Sequence, residues 1–264
     1  MGFETIRLDR EDGVAILTLN RPDKLNSFTA AMHREMCTAF GSIERDKEAR
    51  ALLMTGAGRA FSAGQDLSEE AVRPNASTPP DFEGLLRDRY NTVIEALRAL
   101  PMPTVAAVNG VAAGAGVSLA LATDIALAAR SARFALAFAK IGLVPDSGAT
   151  YFLPRLIGGA RARGLALTGE TLTGEQAESW GLIWKCVDDE KLMAEAMALA
   201  RSLAQGPTRA LVLTRRAFDA AEGNSLAEQL ALETRLQTEA AAGEDYAEGV
   251  AAFIEKRAPR FRGR

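Results

Sequence analysis

Apolar and polar residues alternate in two short opening runs, FETIRL and GVAILTLN, separated by the turn-like DREDG, which predicts two paired strands. RALLMTG at 50–56 predicts a third. Between the second and third, Phe28, Met32, Met36, Phe40 and Ile43 recur at helical spacing, with Ser27 or Thr29 as N-cap, so a helix joins them. EEAVRPNASTPP, with three prolines and small polar residues, predicts a mobile loop. Phe82, Leu86, Val93, Leu97 and Leu100 then form a helical stripe that the PMP at 101–103 stops. TVAAV and DIALAA read as buried strands flanking a glycine-rich turn, NGVAAGAG, and a short helix, VSLALA.

From about residue 190 the pattern is helical only, in segments Leu192 to Leu203, Thr208 to Ala221, Ser225 to Ala241 and Asp245 to Ile254. The expected architecture is an α/β core over 1–190 followed by a helical region over 191–264 that packs on a neighbouring subunit.

Charge narrows the partners. With 31 lysines and arginines against 34 acids the net charge is −3, so no global basic field recruits nucleic acid or an anionic membrane, and an anionic ligand needs a local cationic patch. An apolar fraction of 48% with 25% charged residues excludes a disordered or fibrous class. One histidine, His33, and two cysteines, Cys37 and Cys186, are too few for a tetrahedral zinc site of Cys and His alone, so no metal is expected. The charged opening, the absence of an 18-residue apolar run and two distant cysteines lead us to expect a soluble, cytoplasmic protein with reduced thiols.

Four segments could carry chemistry. NGVAAGAGVSL has Leu119 where a dinucleotide-binding loop needs its last glycine, and the chain has no G-K-[ST]. It is therefore either tight strand–helix packing or an oxyanion site at a helix N-terminus. AFSAGQDL is a second small-residue turn, and the two together could offer one N–H each to a single carbonyl oxygen. GVSLA presents Ser118 as a hydrolase nucleophile whose base would have to be His33, a residue just off the apolar stripe and expected at a solvated edge. Asp146, in IGLVPDSGATYFLP, is either a helix N-cap or a general base held among Ile141, Leu143, Val144, Tyr151 and Phe152.

FSAGQDL, TVAAVNGVAAGAGVSLALATDIALA and FALAFAKIGLVPDSGATYFLPRLIG, in that order, resemble the crotonase (enoyl-CoA hydratase/isomerase) superfamily, and the likeness extends from FETIRL to FIEKRAPRFRG. The resemblance implies a spiral of ββα turns followed by helices that build a homotrimer, often paired into a dimer of trimers. It implies an acyl-CoA substrate, coenzyme A entering as part of that substrate and no separate cofactor. The thioester oxygen would be held by the backbone N–H groups of Gln65 and Ala115, beside Ala63, Asp66, Leu67 and Gly114. Arg21, Lys24 and Leu25 would lie along the CoA, and Phe253, Lys256 and Arg257 would approach from a neighbouring subunit.

The two positions where hydratases of the superfamily carry glutamates are Ser118 and Phe138 here, which argues against efficient hydration. Asp146 falls where several isomerases place a working aspartate. GLVPDSGATYFLPR, ESWGLIWKCVDDE and YAEGVAAFIEKRAPRF resemble the isomerases of phenylacetate catabolism that convert ring-1,2-epoxyphenylacetyl-CoA to a seven-membered oxepin, with Ala149 standing where a second glycine is common. The same base would serve 3-enoyl-CoA double-bond shifts. Enoyl-CoA hydration, CoA-thioester hydrolysis and non-catalytic acyl-CoA binding are the alternatives.

Overall fold

The chain opens with a hairpin of β1 (Ile6–Glu11) and β2 (Val14–Leu19), paired antiparallel from Ile6↔Leu19 to Glu11↔Val14. Only Asp12 and Gly13 turn it, at φ 50° and 79°. Positive φ at both positions is the type I′ geometry that matches strand twist, so the first strand runs through the charged residues that the sequence pattern assigned to a turn. The computed structural model describes residues 2–73 and 80–263; the middle of the proline-rich stretch expected as a mobile loop, residues 74–79, lies outside the described residues.

Helix α1 (Ala30–Arg45) starts where Thr29 Oγ1 accepts from the Met32 N–H, and it buries Met32, His33, Met36, Ala39, Phe40 and Ile43. The chain then repeats a unit of one strand for a large sheet, a three-residue strand for a small sheet, and a helix. The first unit is β3 (Ala51–Gly56), β4 (Ala60–Ser62) and α2 (Phe82–Leu85), which continues through a π-helical segment, Leu86–Asn91, into α3 (Thr92–Ala99). The second is β5 (Thr104–Val108), β6 (Val111–Ala113) and α4 (Ala115–Leu121). The third is β7 (Ile125–Ala129), β8 (Arg133–Ala135) and α5 (Ala149–Thr168), a helix broken at Gly158 by φ 76° and ψ 157°. β9 (Thr171–Thr173), α6 (Gly174–Trp180) and β10 (Lys185–Val187) close the spiral.

The large sheet has the order β1-β2-β3-β5-β7-β10 and the small one β4-β6-β8-β9. From β2 onward the large sheet is parallel, and β3 and β5 are buried at every residue, as strands covered on both faces must be. In the small sheet β4, β6 and β8 run parallel and β9 antiparallel. This is the ββα spiral that the resemblance implied. β4 and β6 lie inside the two segments that the sequence presents as small-residue turns, because three residues are too few to show a period.

The C-terminal region comprises α7 (Leu192–Gln205), α8 (Thr208–Ala221), α9 (Leu226–Ala241) and α10 (Glu244–Glu255). Leu192, Ala196, Ala200 and Ala204 form a small-residue stripe that lays α7 against β3 and β5, so this helix covers the core sheet although it follows the strand-bearing part of the chain. Arg50 ties the later helices back, donating to Thr208 Oγ1 at 3.2 Å and Phe261 O at 2.9 Å. Among the described residues no helix is long and apolar enough to cross a membrane.

Candidate active site

Two glycine-bearing turns meet where the short strands end. After β4, the Gly64 carbonyl accepts from Phe28 N–H at 2.7 Å and the Asp66 N–H donates to Phe28 O at 2.9 Å. After β6, Gly114, at φ 51°, donates to Ala135 O at 2.9 Å and α4 begins at Ala115. A Cβ on Gly64, where φ is 81°, would fall 2.7 Å from Ala113 O, and one on Gly116 would fall 2.4 Å from Ser62 O. Any side chain at either position would push the turns apart. Among the described residues, the N–H groups of Gln65 and Ala115 donate to no acceptor. The close approach of the two turns thus leaves two unpaired backbone donors on residues that border one space.

That space is a cavity of about 490 Å³ bordered by Gln65, Gly114, Ala115 and Asp146. Its other walls are apolar: Phe82, Leu85, Leu86 and Tyr90 from one side, Phe138, Ile141 and Leu143 from the other, with Lys140 among them. Asp146 is the one acid among the described lining residues. Burial pushes its carboxyl above the usual carboxylate range, opposed by a hydrogen bond from Ser147 Oγ to Asp146 Oδ1 at 2.9 Å.

Asp146 does not cap α5. The N-cap is Gly148, without a side-chain hydrogen bond, and it is the Asp146 main-chain oxygen that accepts from Ala149 N–H at 2.9 Å. Ser147 at φ 53° and Gly148 at φ 84° form the tight turn that separates the carboxylate from the helix start. Ala149, the departure from the double-glycine pattern, is the fully buried first residue of α5.

Ser118 and His33 do not form a hydrolase pair. The Ser118 side chain is fully buried and donates to Asp146 O at 2.9 Å. His33, expected at a solvated edge, is 3% exposed, because α1 turns it inward between Phe28 and Tyr90. Its Nδ1 lies 2.8 Å from Thr29 O, and burial lowers its pKa to about 4, so the ring is neutral at pH 7.

Arg21 points inward: Nη1 and Nη2 each donate to Asp66 Oδ2 at 3.0 Å, and Nη1 also donates to Ser27 O at 2.7 Å. Asp66 is held down to about 2, chiefly by the Ser68 hydroxyl and also by Arg21. This half-buried pair braces the turn after β4 and leaves no free guanidinium for a phosphate. Lys24 is exposed at the end of a 3₁₀ turn, and Leu25, at φ 49°, accepts from the Ala63 N–H at 2.9 Å, which ties the 21–25 loop to the cavity wall. Ala63, Leu67 and Gly114 all border the cavity. Phe253 and Lys256 do not: Phe253 is 86% exposed on α10, beside a separate groove with Tyr246 and Phe261. Among the described residues no three His, Cys, Asp or Glu side chains gather as a metal site.

Sequence reasoning missed Tyr90 and Lys140. Tyr90 stands on the same stripe, four residues after Leu86 and three before Val93, so helical spacing marks it as inward-facing, and a polar hydroxyl on an apolar stripe was the signal to follow. Lys140 is the single cation in FALAFAKIGL, a signal legible in hindsight.

A family described as "Enoyl-CoA hydratase/isomerase" matches residues 9–264. The chain belongs to the enoyl-CoA hydratase/isomerase family. It is similar to the 1,2-epoxyphenylacetyl-CoA isomerase of Escherichia coli K12, with 51% identity over 96% of this chain and 97% of the relative. It is 46% identical, over the whole of both chains, to a Rhodobacter capsulatus protein described as "Probable enoyl-CoA hydratase". The crystal structure of an enoyl-CoA hydratase from Bacillus anthracis superposes with a TM-score of 0.91 at 32% identity, covering 99% of this chain and 100% of that one. As a member of the enoyl-CoA hydratase/isomerase family the chain is an enzyme of isomerase or hydratase type, and an acyl-CoA substrate is consistent with that family.

Proposed function

We propose that the protein isomerises ring-1,2-epoxyphenylacetyl-CoA to its seven-membered oxepin-CoA in phenylacetate catabolism, with Asp146 as the acid/base. The observation that carries this reading is one raised carboxylate facing two free backbone N–H groups inside an aromatic-walled cavity. A thioester acidifies the protons on its α-carbon. Asp146 removes one, and the enolate oxygen accepts from Gln65 and Ala115 N–H. The carbon–carbon bond shared by the epoxide and the six-membered ring breaks as the ring double bonds shift, which leaves the oxygen inside a seven-membered ring, and Asp146 returns the proton to a ring carbon. No atom is gained or lost, so the reaction balances without an oxidant, a reductant or a second acid. The same cycle moves the double bond of a 3-enoyl-CoA.

Hydration is the second reading, favoured by the hydratase descriptions among relatives. It asks for a water held between two acid/base groups, and the positions that the resemblance gives to glutamates hold a buried serine engaged with Asp146 O and an apolar Phe138. We assign Lys24 and Lys140 to the CoA phosphates, since Arg21 is engaged with Asp66. A homotrimer or dimer of trimers would cover the exposed Phe218, Leu226, Leu230 and Ile254 and bring Phe253 and Lys256 of a second copy to the CoA. Mass spectrometry of the turnover products tests the reading. An isomer keeps the substrate mass, hydration adds one water, and hydrolysis frees the CoA thiol; either of the latter as the main outcome would overturn it.

A further inference from the structure

We infer that Tyr90 is a positioning residue for the oxyanion site, holding the Gln65 peptide so that its N–H faces the cavity. The inference rests on the enolate chemistry proposed above and adds the group that keeps its electrostatics in place. The Gly64–Gln65 peptide carries the critical N–H on one side and, on the other, the Gly64 carbonyl that accepts from Phe28 N–H at 2.7 Å. The orientation of that peptide therefore depends on where Phe28 and the Gln65 side chain sit. Tyr90 touches both. Its ring meets Phe28 edge-on at 6.1 Å between centroids, and its hydroxyl donates to Gln65 Oε1.

The other end of the Gln65 amide is gripped as well. Nε2 donates to Asp66 O at 3.0 Å and to Glu69 Oε2 at 3.3 Å, while Glu69 Oε1 accepts from the Ala30 N–H at 2.9 Å. Among the described residues Tyr90 supplies the one bond to the oxygen end of that amide. Its own seat is rigid: the side chain is buried, and its ring lies 4.3 Å from that of His33 at an interplanar angle of 70°. A glycine precedes Gln65, and glycine gives a peptide more rotational freedom than any other residue, so this N–H needs external bracing. Preorganised donors stabilise developing charge only while they stay aimed at it.

Tyr90 also borders the cavity, so a direct contact with the acyl group is the competing role, and the two differ in a double-mutant cycle. The reading is exchange of the α-protons of phenylacetyl-CoA with D2O, followed by NMR, which reports enolate formation without ring rearrangement. Tyr90→Phe removes the hydroxyl and keeps the ring packing. We expect its exchange kcat to fall about tenfold, the effect of one neutral hydrogen bond, with KM changed less than twofold. In a Gln65→Met background the same change should cost less than twofold. Exchange by Tyr90→Phe at the wild-type rate, or a tenfold loss that persists in Gln65→Met, overturns the inference while leaving the enolate reading intact. A wild-type protein that exchanges no α-proton overturns both.

Discussion

The Ser118 hydroxyl donates a 2.9 Å hydrogen bond to the main-chain oxygen of Asp146, joining the helix that begins at Ala115 to the turn that carries the carboxylate. The three polar elements of the site are thereby held to one another through buried structure. The same bond accounts for a serine at this position: a small side chain with one donor reaches a carbonyl that would otherwise be left with only the Ala149 N–H.

Ser118→Ala should lower stability by about 1 kcal/mol, the net worth of a buried neutral hydrogen bond, and lower kcat severalfold with little change in KM. Urea unfolding and steady-state kinetics on one preparation check this. A loss of activity beyond about 10³-fold in a folded variant would restore Ser118 as a nucleophile.

Asp146→Asn preserves the acceptor for Ser147 and removes the base proposed above. The expected loss in kcat is about 10²-fold or more. Stability should move the other way. Because burial raises the carboxyl's pKa in the folded protein, its ionised form destabilises the fold at pH 7, a penalty absent below the ordinary carboxylate range. The amide never ionises, so the melting temperature at pH 7 should equal or exceed that of the wild type. Wild-type kcat should rise with pH through the raised pKa, and a variant that keeps its turnover ends the single-acid mechanism.

Gly116→Ala tests the contact between the two turns. The new methyl would lie 2.4 Å from the Ser62 carbonyl, a backbone atom that cannot swing aside. A stability loss of about 1–3 kcal/mol and a fall in kcat are expected together. Gly164→Ala is the control: it sits within α5 with nothing within 4 Å of the added carbon and should stabilise by about 0.5–1 kcal/mol. Equal effects from the two changes would refute the close-approach argument.

His33 predicts an acid weakness. Its pKa is lowered from 6.5 to about 4 in the folded protein, so between these values the unfolded chain binds a proton that the native state refuses. Stability should fall as pH drops from about 6.5 to 4, by roughly 3 kcal/mol from this residue, and no further below that. His33→Asn, whose amide can still reach Thr29 O, should show a smaller difference in unfolding free energy between pH 7 and pH 4.5. An unchanged difference would mean that His33 is not the group responsible.

Local apolar patterning by itself determined β2, β3, β5 and β7, the inward stripe of α1 and the four C-terminal helices, since each is long enough to display its period and a capping or breaking residue marks most of the ends. Motif resemblance points to Gln65, Ala115 and Asp146 as candidate site residues. What only the tertiary structure decided is how those residues meet. Parallel pairing of the three-residue strands β4 and β6 sets Gln65 beside Ala115, and no three-residue segment carries that register in its own pattern. The burial of His33, the inward turn of Arg21 onto Asp66 and the bond from the Tyr90 hydroxyl to Gln65 are of the same kind. Each follows from which surfaces other parts of the chain cover, and a periodicity read along one helix or strand reports only that element's own two faces.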